Sequence, residues 1–305
     1  MKFFTRFSIL LMIFGTIYLW MKMVMMAPRQ RVVTGQTGAR VDPRRTSITL
    51  DSFLHVQQLR KKQLRTFCTK IPHLHSLNAS DSAEHLLSRM MLSHKLMTLY
   101  CKSADVTIEG WEELVQSIER RSDVTLRKPL PVEDSGPDSL AKYNPTMLAQ
   151  VLRTYTKVLF IRDPYERLVS LYLHGNAGAI TFEEFIEDIL MMEAGEGGIS
   201  SSSIIHLCSP CFVQYDYIVM TDFLKAELPH LLKRMGLPES VELPASIDQD
   251  NKATSRWLSK NLFRGLRQEQ FKQVSQLYSW DFAAFPLRNS LVGNRAMGKN
   301  VSRRL

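Results

Sequence analysis

The chain opens on an apolar run without a period. Phe7 to Trp20 is apolar apart from Ser8, Gly15 and Thr16, and Met21 to Ala27 extends it past the single charge of Lys22. About 20 such residues cross a bilayer, and Lys22 near one end reaches the headgroups by snorkelling. A cleaved signal peptide needs a small-residue cleavage site, and Met-Met-Ala-Pro after residue 24 is a poor one. A buried core helix fits badly before a polar, basic stretch. The pattern predicts an uncleaved signal-anchor over 7–26 behind a short tail, 1–6. Residues 28 to about 50, with Gly35, Gly38 and Pro43 and no periodicity, read as a stem.

Periodicity then sets in. Ser52 to Lys70 is predicted helical with Phe53, Val56, Leu59 and Leu64 on one side, and Ser80 to Met97 is helical in pattern. Leu99-Tyr100-Cys101 begins the first core strand. Trp111, Leu114, Val115 and Ile118 fall at i, i+3, i+4 and i+7 of a helix. A Pro- and Asp-rich loop from Arg127 to Pro137 precedes a helix around Pro145 to Tyr155. Val158 to Ile161 is continuously apolar, as in a strand buried on both faces of a parallel sheet. Thr181 caps a helix over Phe182 to Leu190 with Glu184 in capping-box position. After a Gly/Ser loop from Ala194 to Ser203, Phe212 to Met220 reads as a strand. Asp222 to Met235 reads as a helix stopped by Gly236 and kinked at Pro229. The last helix covers Gln268 to Tyr278, followed by Asp281 to Phe285. Strands alternating with helices, without an internal repeat, indicate an α/β fold with a mostly parallel sheet.

The candidate chemistry lies between the Val158 strand and its helix. Asp163 suits an N-cap, Pro164 the first helical position, and Glu166 a capping-box spacing. Tyr165, Leu168, Val169 and Tyr172 form the apolar stripe, which leaves Arg162, Arg167 and Ser170 off it. Cations and a hydroxyl at a strand-to-helix turn suit a phosphate, since helix N-termini present unpaired N–H groups. The alternative is an ordinary α/β turn with solvated arginines. The formal charge of +9 favours an anionic partner over a neutral one. Nucleic acid is the weaker option, because zinc-finger spacing, an RNA-binding aromatic signature and basic heptads are missing. The 305 residues allow one large or two modest domains.

Four cysteines, Cys68, Cys101, Cys208 and Cys211, are an even number, as disulfide pairing in an oxidising compartment requires, and three pairings are possible. Cys208-Ser209-Pro210-Cys211 has C-x-x-C spacing, but a zinc site would have to recruit ligands from far along the chain. Asn78 and Asn300 head glycosylation sequons.

Arg162 to Tyr172, RDPYERLVSLY, closely resembles the 3′-phosphate motif of membrane-bound carbohydrate sulfotransferases of the HNK-1 and chondroitin/dermatan 4-O type. Leu207 to Cys211 with Tyr215 to Ile218 resembles that family's "LCxPC…YDFI" segment. Tyr278 to Phe282 resembles its "YxxDF" ending, and Tyr143 to Tyr155 its helix before the motif. The resemblance spans roughly Leu99 to Phe285. It implies a P-loop-like sulfotransferase fold, a central mostly parallel sheet flanked by helices behind an N-terminal transmembrane helix. Its divisions would be a stem with leading helices over 27–90, a sulfotransferase domain over 91–290 and a tail over 291–305. It implies PAPS (3′-phosphoadenylyl sulfate) as donor, with Arg162 and Ser170 on the 3′-phosphate and Arg167 a further candidate from its place in the turn. It implies in-line transfer to a sugar hydroxyl without a metal, a glycan or proteoglycan acceptor, and a structural role for the C-x-P-C run. It also implies a type II Golgi membrane protein with a luminal domain. Counting charges alone, Lys2 and Arg6 before the span against Arg29, Arg31, Arg40, Arg44 and Arg45 after it, would place the domain in the cytosol.

The sequence departs from the family at the other donor motif, "VPKxACTNW". Cys101 and Trp111 are kept, but Asp105 stands at the Lys position, Ala104 replaces Pro and Glu109 replaces the hydroxyl residue. One charge pair at about 4 Å is worth about 4 kcal/mol at an effective dielectric near 20, so exchanging Lys for Asp turns attraction into repulsion. Lys102, three residues earlier, is the weak substitute, and Glu112 and Glu113 add negative charge. Ser200 and Ser201 stand where the family has His-Trp. Two outcomes follow: an active Golgi carbohydrate sulfotransferase, or an impaired relative that keeps the fold and 3′-phosphate recognition.

Overall fold

A computed structural model of the chain describes residues 48–76, 80–102, 109–121, 138–140, 143–175, 178–194, 203–237, 241–244, 252–287 and 291. The predicted span at 7–26, the stem up to residue 47, the sequons at Asn78 and Asn300, Asp105 and the Ser200–Ser201 pair lie outside them. Among the described residues, no helix is long and apolar enough to cross a membrane.

Helix α1 (Leu50–Lys70) and a 3-10 turn are followed by α2 (Ser80–Arg89), β1 (Met90–Ser93) and β2 (Thr98–Cys101). Next come α3 (Glu109–Arg120), β3 (Asp138–Ser139), α4 (Pro145–Thr154), β4 (Thr156–Ile161), α5 (Pro164–Gly175) and α6 (Phe182–Ala194). Two short helices, α7 (Ile204–Leu207) and α8 (Pro210–Val213), lead to β5 (Tyr217–Met220). The remainder is helical: α9 (Leu224–Arg234), α10 (Lys252–Arg264), α11 (Gln268–Leu277) and α12 (Ser279–Ala284).

The five strands form one sheet in the order β3-β1-β2-β4-β5. Its β2-β4-β5 half is parallel, and β1 runs antiparallel to both β2 and β3. The sheet is therefore mixed. Val158 to Ile161 are buried, as their apolar run predicts, because β4 has a partner on either side and helices over its faces. The register sets Ile161 opposite Met220, so β4 and β5 end side by side and their following turns share one edge.

Two predicted elements change and one forms unpredicted. The Ser80–Met97 helix ends at Arg89, and Met90 to Ser93 pairs with β2 through a turn that holds Met97 at φ 49°. Three apolar residues before Ser93 have no period of their own, so the strand partner decides their state. The Phe212–Met220 strand is α8 plus a shorter β5, with Ser209 (φ 40°) and Gln214 (φ 55°) in left-handed conformations bracketing the helix. Helix α10 lies in a stretch where no element is predicted. The Gly236 stop does form: Gly236 adopts φ 86°, and its N–H and that of Leu237 bond back to Lys233 and Leu232. The Thr181–Glu184 capping box closes in both directions.

Helix α1 buries Phe53, Gln57, Arg60, Leu64 and Phe67, whereas Leu59, expected on that face, is 54% exposed. The buried polar residues have partners. Gln57 accepts from the Ile218 N–H (2.8 Å) and donates to the Ile218 carbonyl (3.1 Å), occupying the free edge of β5 as a neighbouring strand would. Arg60 pairs with Glu227 at 2.6 Å and donates to the same carbonyl. Two disulfides fix this arrangement, Cys68–Cys211 and Cys101–Cys208. The C-x-x-C cysteines thus go to different partners, one anchoring α1 and one the end of β2.

Candidate anion-binding site

At the carboxyl end of β4, Asp163 Oδ1 accepts from the N–H groups of Tyr165 (2.8 Å) and Glu166 (3.3 Å) and so caps α5. Those first-turn donors are already satisfied, so attraction for an anion must come from side chains. Arg162, Asp163 and Glu166 line a pocket of about 170 Å³ with Ile161, Met220, Thr221, Asp222, Arg256 and Leu287. That is smaller than the roughly 300–1,000 Å³ of a site enclosing a whole ligand, and it suits a single phosphate-sized group.

A ladder of charges crosses this pocket. Arg162 Nε lies 3.6 Å from Glu166 Oε2, Arg256 Nε lies 3.4 Å from Glu166 Oε1, and Arg256 Nη2 bonds Asp222. The Glu166 side chain is 4% exposed. Burial raises its pKa from the usual 4.5 to about 6; Asp163 and Asp222 push the same way, while Arg162 and Arg256 pull against them.

The three predicted donor residues part company. Arg162 lines the pocket. Ser170 lies one turn beyond Glu166 on the same face of α5, outside the pocket lining, with its Oγ 3.5 Å from His174 Nδ1. Arg167, expected beside them, is fully buried: it donates to Asp281 at 2.9 Å and lies over the Tyr278 ring. Its position off the apolar stripe does not reach solvent, because α7 and α12 close over that side of α5. Asp281 also accepts from Ser203 Oγ and from the N–H groups of Ile204 and Ile205. One buried carboxylate therefore ties the RDPYER turn to the YSWDF segment and to the helix before the C-x-P-C run.

Lys102 follows β2, where the second donor motif would begin. Its ammonium is 2.9 Å from Glu112 on α3 and its side chain is half exposed. Among the described residues, no cluster of three or more His, Cys, Asp or Glu side chains could hold a metal.

Sequence reading missed Arg256 and Asp222 as parts of the pocket. The signal was the run Trp257, Leu258, Leu262, Phe263, Leu266, whose helical spacing marks α10 and leaves Arg256 at its border.

A phosphate-sized, cation-bearing pocket where parallel strands end is the mark of α/β proteins that hold phosphorylated ligands at the carboxyl edge of the sheet. The chain belongs to the sulfotransferase family, whose model matches residues 82–287. It is similar to carbohydrate sulfotransferase 14 of Mus musculus, with 27% identity over 320 residues covering 92% of this chain and 84% of the relative. It is also similar to carbohydrate sulfotransferase 14 of Danio rerio (22% over 283 residues, 77% and 73% covered) and carbohydrate sulfotransferase 10 of Danio rerio (23% over 273 residues, 75% and 74% covered). No solved structure matches it.

Proposed function

We propose that this chain transfers the sulfuryl group of PAPS to a hydroxyl of a glycan or proteoglycan, of a chondroitin/dermatan-like or GalNAc-containing kind. The observation that carries the proposal is Arg162, set at the carboxyl end of β4 against a phosphate-sized pocket and directly before the capped helix α5. The donor supplies an activated sulfuryl group and a 3′-phosphate handle. Arg162 binds that handle, Ser170 lies further along the same helix face to receive the rest of it, and the Cys101–Cys208 bridge holds the strand that leads toward residues 103–108. We place the domain in the Golgi lumen behind a single type II anchor. The carbohydrate sulfotransferases it resembles and its paired cysteines support that placement.

A second reading, an impaired relative that retains 3′-phosphate recognition, is supported by Asp105 at the expected Lys position and by the pairing of Lys102 with Glu112. Calorimetry with adenosine 3′,5′-bisphosphate and labelled-sulfate transfer to a glycan panel separate the two. Binding with transfer is expected from the first reading. Binding without transfer would leave the second, and loss of both would remove the donor site altogether. Glycosylation at Asn78 in cells tests the luminal placement.

A further inference from the structure

Two guanidiniums and three carboxylates face the pocket. Arg162, Asp163 and Glu166 come from the β4–α5 turn, Asp222 from the turn after β5, and Arg256 from α10. With every group ionised the balance is one negative charge, an unpromising start for an anion. The two guanidiniums are nevertheless spaced to hold one anionic group between them. The Glu166 carboxylate sits between the two guanidiniums, 3.6 Å from one and 3.4 Å from the other, where the oxygens of a bound anion would be held.

The other buried arginines of the fold show what a purely structural pair looks like here. Arg167 with Asp281 is 0% and 1% exposed, and Arg60 with Glu227 is 4% and 4% exposed. Arg256 is 41% exposed while touching two pocket carboxylates. Its helix does not depend on that contact for anchorage, since Phe263 and Leu266 bury its apolar face with Tyr165 and Leu168 of α5. Arg256 is therefore a cation held at the mouth of the pocket rather than sealed into the core.

We infer that Arg256 is a second anion-binding residue of the donor pocket, held in reserve by Glu166 and Asp222. The inference rests on the donor reading of that pocket. An incoming phosphate takes over the guanidiniums from Glu166, and Arg162 and Arg256 flank it from opposite sides. Glu166, facing Arg162, Asp163, Asp222 and Arg256, becomes neutral by taking a proton from solvent as it loses its two cations.

The test compares calorimetric affinities of the full chain in detergent for adenosine 3′,5′-bisphosphate and for adenosine 5′-monophosphate. Their ratio reports the 3′-phosphate alone. Arg256→Gln is expected to lower that ratio about tenfold, as loss of one charge-assisted contact does. Asp222→Asn, which frees Arg256 from its competing carboxylate, is expected to keep or raise it. If Arg256→Gln leaves the ratio within about twofold while Arg162→Gln collapses it, the donor pocket stands and the inference falls. If Arg256→Gln and Asp222→Asn lower it equally, Arg256 acts only as a bridge to Asp222, and the inference again falls. A wild-type protein that does not distinguish the two nucleotides would overturn the donor reading itself. Should Arg256→Gln not fold, Arg256→Lys keeps the charge but not the forked donors; a lowered ratio is expected and an unchanged one overturns the inference.

Discussion

Glu166 and Arg167 are adjacent in sequence and opposite in environment. One turns to the pocket between two cations, and the other turns into the core against Asp281. Glu166 holds its proton more tightly in the fold than in the unfolded chain. Its contribution to stability is thus fully present below about pH 4.5 and is lost as pH rises through about 6. A displacement of that size corresponds to about 2 kcal/mol. Glu166→Gln is expected to flatten the fall in thermal midpoint between those two values, read from melts across the range. Arg167 is the stability counterpart. Arg167→Leu leaves the buried Asp281 carboxyl without its cation, and urea unfolding is expected to show a loss of about 3–5 kcal/mol. From the sequence both residues lay on one turn with Arg162, and the buried side of Arg167 was not legible there. What buries it, α7 and α12, comes from residues 204–207 and 279–284, far along the chain.

At the level of elements, β4, α5, α6 and the Gly236 stop were readable because their signals are local: an apolar run, a cap, a capping box, a glycine. The apolar spacing of α10 was there to be read and was overlooked, whereas β1 and α8 were not readable. β1 is too short to carry a period and takes its state from pairing with β2, and α8 is set by the left-handed turns at Ser209 and Gln214. Helix α1 is the clearest case. Its apolar stripe suggested Leu59 inward, yet Gln57 and Arg60 are buried because β5 and α9 offer them a carbonyl, an N–H and a carboxylate. Gln57→Ala strands the Ile218 N–H under the helix while the carbonyl keeps its bond from Arg60, and chemical denaturation is expected to show a loss of about 1–3 kcal/mol. Removing the bridge that anchors the same helix, with Cys68→Ser and Cys211→Ser together, is expected to cost about 2–5 kcal/mol. Limited proteolysis should then cut first within 50–70.

For the whole molecule, the mixed sheet brings the turns after β4 and β5 to one edge, and α10 delivers Arg256 across them. The net charge of +9 is a whole-chain property with its own consequence for an acidic acceptor. Transfer to, or binding of, a chondroitin-like polyanion is expected to weaken severalfold between roughly 50 and 300 mM salt as screening shortens the reach of that charge. Affinity for a neutral glycan should hardly change, and a filter-binding series over salt reads the difference.

The sequence by itself determined the α/β character, the family, the motif strand with its capped helix, and the placing of Arg162 at the end of that strand. These depend on neighbours within a few residues, where steric and hydrogen-bonding rules act directly. The tertiary structure decided which cysteines pair, which arginine of the motif faces the pocket, and that Arg256 and Asp222 complete it. Those outcomes depend on burial and charge compensation between segments separated by up to 143 residues, and only the packed chain sets such distances.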